Sequence, residues 1–240
     1  MAVFDERLHQ RLLQRLQKRK TSNQQSRFAL ISNVKRVLQI SAKIMSEQIL
    51  QNFLDESISA FRSYKKLAEK ALAQVSDEEF FKEIDEESNS IAAIAKHIGG
   101  NLRSRWTDFL SSDGEKPDRD RDSEFIADAD TRESVLQFWE NGWNALFTTL
   151  ESLKIEDLGK IVQIRGENFT VVRAIIRAST HTASHVGQIM FLAKYLRGAN
   201  WQNLSVPKNK SAEFTDWLKS KEDKGNYLEA TDEFAEKDSK

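Results

Sequence analysis

Apolar residues recur every three to four positions through most of this chain, and only two prolines and nine glycines interrupt 240 residues. That period is the helical one, and proline is the residue a helix interior tolerates least. The chain is therefore expected to be all-α, built from long amphipathic helices. The first reads from Met45, with Ser46 as its cap and Ile49, Leu50, Phe53, Leu54, Ile58, Phe61 and Leu67 on its apolar face. Ser76 to Glu79 read as a capped short turn of helix that lets Phe80 and Phe81 pack back.

A second long helix is expected from about Ser88 to Leu110, with Gly99 and Gly100 either weakening it or admitting a close neighbour. The polar stretch 111–125 is too long for a simple bundle link and reads as a lid or rim. Thr131 with Ser134 opens a third helix whose inner face is aromatic. Two β-like runs around Arg165 and Gly166 suggest a small hairpin, and the last long helix runs from about Thr170 to Leu196, stopping at Gly198. Four long helices make a four-helix bundle, with the hairpin at one end.

Charge divides the chain unevenly. Residues 1–44 carry ten Lys and Arg against Asp5 and Glu6, a net +8 that leaves −9 for the remainder. An acidic body argues against broad phosphate-backbone binding, so nucleic acid would be met only through that arm. The expected organisation is a basic extension over 1–44, native or from an early start codon, a bundle over 45–204 and a polar tail over 205–240 held by Trp217 and Leu218. No apolar run approaches the length of a membrane span and no secretory signal opens the chain, so the default compartment is the cytoplasm. The absence of cysteine excludes disulfides, thiolate ligands and a cysteine nucleophile of its own.

Of four histidines, His181 and His185 stand four apart on the last helix, where both imidazoles share a face. His97 lies on a different long helix, placed to meet them, whereas His9 belongs to the basic arm. Each alone has an ordinary reading as a hydrogen-bonded bundle histidine. Together they favour one divalent ion, zinc, nickel or iron(II), with coordination positions left open. Asn101, Ser104, Ser184 and Gln188 are candidates to orient the rings, or else a solvated polar face. Thr182 stands where a zinc-protease helix would carry its glutamate base, which excludes that mechanism. Arg103 and Arg105 are candidates to hold a carboxylate, though exposed helix charges explain them as well, and Trp139 with Trp143 suits core packing better than a ligand pocket.

The segments IAKHIGGNLRSRWTDFL, FWENGWNALF and HTASHVGQIMFLAKYL resemble the DinB-like (DinB/YfiT) superfamily of bacterial four-helix bundles, over about Met45 to Leu204. The tail WQNLSVPKNKSAEF resembles an uncharacterised branch of it. The resemblance implies a metal triad at His97, His181 and His185. It also implies either a metal-dependent enzyme, such as one transferring a low-molecular-weight thiol to a small electrophile, or a noncatalytic metal-binding or stress-response interaction module. An exposed apolar stripe on the first helix would further favour a homodimer.

Overall fold

The computed structural model describes residues 6–222 and 227–238. The side chains before Lys35, which include His9 and most of the basic arm, lie outside the described residues, as do 223–226 and 239–240 of the tail. By its contacts the chain divides into two units, residues 1–52 and 53–240, with helix α1 (Glu6–Leu72) running through the boundary. Ser46 caps nothing, because the helix has already begun upstream. Its hydroxyl instead donates to the Lys43 carbonyl, and Ile49, expected on the apolar face, stays exposed.

Within the second unit the architecture is all-α with one small hairpin. Leu54, Phe61 and Ala68, seven residues apart, are the buried stripe of α1. Helix α2 (Asp77–Phe81) begins as the sequence suggests: Ser76 accepts from the Glu79 N–H, Glu79 accepts from the Ser76 N–H, and Phe80 is buried. Helix α3 (Ile91–Trp106) is shorter than expected, starting at the Ser90 cap and ending at Thr107. It is buried nearly all round, as only a helix enclosed by neighbours can be.

Helix α4 (Arg132–Ser152) starts at the reciprocal cap of Thr131 and Ser134. Strands β1 (Ile161–Ile164) and β2 (Glu167–Thr170) pair antiparallel across Arg165 and Gly166, whose φ values of 56° and 75° make the left-handed turn a two-residue hairpin needs. Helix α5 (Val171–Arg197) follows at once from the Thr170 cap and stops at Gly198.

Aromatic side chains fill the centre. Trp139 and Trp143 lie 5.4 Å apart, and Phe61 stands edge-on to both Trp143 and Trp106. All four are almost completely buried, so the tryptophan pair on α4 is core. Between α3 and α4 the backbones touch: a Cβ added at Gly142 would lie 2.3 Å from the Gly99 carbonyl oxygen.

The tail is more ordered than its polarity suggests. Helices α6 (Ser211–Ser220) and α7 (Tyr227–Asp238) bury Phe214 and Phe234 against each other beside Trp217, and Asp232 pairs with Lys66 and Lys70 of α1. Phe214 and Phe234 are hard to pick out in the sequence because each stands among charged residues, and they meet only when α6 and α7 pack. Among the described residues no helix is long and apolar enough to cross a membrane.

Candidate metal centre

His97 sits at the middle of α3, 3% exposed, and faces α5, where His181 and His185 are one turn apart. The ring centroids stand 5.3 Å and 4.9 Å from His97 and 4.6 Å from each other. One nitrogen from each ring falls within 4.8 Å of the other two. The Nε2 atoms of His97 and His181 are 3.3 Å apart. Two nitrogens bound to one tetrahedral zinc at its usual bond length are separated by about 3.3 Å. The spacing therefore suits a shared ion with little rearrangement.

What lies behind the rings fixes which nitrogen they present. Glu124 is buried in a 3₁₀ turn, Asp122–Phe125, and its Oε2 is 2.9 Å from His97 Nδ1. Arg119 grips the same carboxylate with two bonds, Nε to Oε1 and Nη2 to Oε2, each 2.8 Å. Burial raises the Glu124 carboxyl, but His97 and Arg119 outweigh it and hold the group below the usual carboxylate range. An ionised carboxylate only accepts, so Nδ1 of His97 carries the proton and Nε2 offers its lone pair. His185 Nδ1 is likewise 2.8 Å from Gln188 Oε1, an acceptor, which leaves its Nε2 bare. Burial, followed by the neighbouring His185 and His97, pushes His181 down to about 3, and burial lowers His185 as well. Burial thus favours the neutral form of the His181 and His185 rings, the form that can ligate a metal.

A glycine makes the carboxylate's approach feasible. A Cβ on Gly100 would lie 2.1 Å from Glu124 Oε1, so no other residue leaves room for Glu124 behind His97. Gly99 serves α4 instead, since its Cβ would meet the Phe138 carbonyl at 2.7 Å. Both glycines admit a close neighbour, and they admit different ones.

The loop carrying Glu124 is tied down along its length. Ser104 donates to the Gly114 carbonyl at 2.8 Å, and buried Arg105 pairs with Glu115 at 2.8 Å. Glu115 also takes Arg165 Nε from the hairpin turn at 2.9 Å. Asp113 accepts the backbone N–H groups of Arg165 and Gly166 at 2.8 and 2.7 Å. An alternating chain of charges thus runs from the hairpin tip through Glu115, Arg119 and Glu124 to His97. The stretch read as a lid or rim is in fact the wall of the site.

The expected orienting residues separate accordingly. Gln188 touches His185, while Ser104 anchors the loop and Ser184 donates to the Thr180 carbonyl of its own helix. Asn101 is buried on the His97 face of α3. Arg103 pairs with Asp118 rather than facing the histidines. Glu124 and Arg119 escaped the sequence reading because DRDRDSEF looks like solvated loop. The available signal was Gly100, one turn after His97, a missing side chain that a close neighbour explains. A groove of about 690 Å³, lined by Ile58, Leu67, Leu204 and Asp232 among others, includes none of the histidines.

No curated protein and no solved structure matches the chain. A family model does, that of the protein of unknown function DUF1572, over residues 48–210, a span that contains the three histidines, Glu124 and the hairpin. The chain therefore belongs to the DUF1572 family.

Proposed function

We propose that this protein is a divalent-metal protein of the DinB-like kind, in which His97, His181 and His185 bind zinc, nickel or iron(II) through nitrogen and leave further positions for a small ligand. The observation that carries the reading is the convergence of three ring nitrogens within 4.8 Å, two of the rings being locked from behind by Glu124 and Gln188 with their Nε2 lone pairs free. A bundle histidine kept only for packing needs no such orientation. Three neutral donors make an open site, the kind associated with reaction rather than with a closed structural role.

The reaction favoured is transfer of a low-molecular-weight thiol to an electrophile. A bound divalent ion lowers the pKa of a coordinated thiol, so that thiolate is available at neutral pH. The chain has no cysteine, so the thiol belongs to the ligand. His97, His181 and His185 would position it, and the buried Glu124–Arg119 pair would keep His97 in its ligating tautomer.

Elemental mass spectrometry on protein purified without a polyhistidine tag tests this directly. Close to one equivalent of a transition metal, lost in a His181→Ala, His185→Ala double variant, is the expected result. Wild type that stays metal-free after incubation with zinc, nickel and iron(II) overturns the reading.

A further inference from the structure

The surroundings of the three histidines carry a charge that the triad does not explain. Six arginines surround the site or its supporting loop, within a body that is otherwise acidic. Four of them are matched: Arg103 pairs with Asp118, Arg105 and Arg165 share Glu115, and Arg119 is held by Glu124. Two are not. Arg177 is one helical turn before His181 on the same face of α5, about 6 Å along the axis, and has no acidic partner among the described residues. Arg121 lies with its guanidinium carbon 5.1 Å over the Phe125 ring, which stacks on His97 at 4.6 Å. Its one carboxylate, Asp122, is 3.8 Å away and 96% exposed, so water screens the pair.

Buried Arg105, whose Nε has no hydrogen-bond partner, belongs to the same cluster. A divalent ion on three neutral imidazoles would add two more positive charges. Arg177 and Arg121 lack a close, shielded carboxylate beside the histidines, and cations so placed repel a bound ion and one another unless an anion completes the set.

We propose that the ligand of this site is a small molecule bearing an oxyanion, carboxylate or phosphate, beside its metal-seeking atom, with Arg177 and Arg121 as the groups that select it. The planar guanidinium fork matches both oxyanions, and a charge-assisted bond next to a bound ion discriminates against uncharged analogues. The proposal rests on the metal reading above and narrows it from any thiol to an anionic one.

The test uses full-length protein loaded with cobalt(II), whose thiolate charge-transfer absorption reports ligand at the metal. Mercaptoacetate and mercaptoethylphosphonate are titrated against uncharged mercaptoethanol. One or both anionic thiols bind about tenfold tighter than mercaptoethanol, and the oxyanion with the greater gain identifies the natural group. Arg177→Gln with Arg121→Gln removes that preference while leaving cobalt content and mercaptoethanol affinity unchanged, and Arg177→Lys retains part of it. Equal affinities in wild type, or a preference that survives the double variant, overturn the proposal while leaving the metal centre intact. Wild type that takes up no cobalt overturns both.

Discussion

Helix α3 meets its two long neighbours in opposite ways. Toward α4 it presents Gly99 to Gly142, backbone against backbone, with no side chain between them. Toward α5 it presents His97, and the space is filled by imidazoles whose nitrogens need a proton or an ion to be satisfied. The first contact is made of shape and tolerates no added atom. The second is made of chemistry and stabilises the apo fold little, because bringing polar rings out of water offsets much of what their contact returns. One helix thus divides its circumference between holding the fold and holding the site.

The comparison can be broken most sharply at Gly142. Gly142→Val places branched carbon where the Gly99 carbonyl stands, and we expect a stability loss of about 3 kcal/mol in chemical denaturation. Full stability would mean that α3 and α4 separate readily, and the contrast would fail. Next, Glu124→Gln weakens the acceptor behind His97 and takes from Arg119 the nearer of its two carboxylate partners. Metal affinity by competition with a chelator should fall about 10- to 100-fold, and unchanged affinity would show that His97 needs no orienting partner.

The pH dependence gives a smaller effect, and its sign follows from His181. The folded metal-free protein holds this ring down to about 3, whereas unfolded histidine titrates near its ordinary value of 6.5. Between those values the unfolded chain binds the proton and the folded chain does not. The apo stability is therefore intact above the unfolded value and declines as pH falls through that window, by at most about 1.4 kcal/mol per unit. Urea unfolding of wild type and His181→Gln from pH 7 to pH 4 should show the flatter curve in the variant. Gln188→Ala has the least effect. Its amide lies on the exposed side of His185, and a loss of a few-fold in metal affinity, about 0.5–1 kcal/mol, is expected from one solvent-facing hydrogen bond.

Elements marked by local chemistry were legible in the sequence. Ser76, Thr131, Thr170 and Gly198 start or stop helices where their side chains or backbone allow, and the Arg165–Gly166 turn follows from two left-handed residues. The pairing of His181 with His185 was legible for the same reason, since a four-residue spacing on a helix fixes a shared face, whereas the approach of His97 depends on how α3 packs on α5. What was not legible depends on partners far away along the chain. Ser46 looks like a cap only if the helix starts there, and residues upstream decided otherwise. Glu124 looks like one acid among many until the fold buries it behind His97. Phe214 and Phe234 make a core only when α6 and α7 meet.

The Asp113 clamp on the hairpin turn bears on the order in which the molecule assembles. It joins groups more than 50 residues apart in sequence, and through it the wall that carries Glu124 is anchored to the segment that launches α5. Helices α3 and α4 can zip together early through their glycine contact, being near in sequence, but they bring only one imidazole with them. The remaining donors arrive with the hairpin, after a long chain closure, which places the site among the late events of folding. A metal ion held there as proposed would be a latch rather than a seed: it would meet a chain already committed to its shape and would slow the unfolding of its last-formed part.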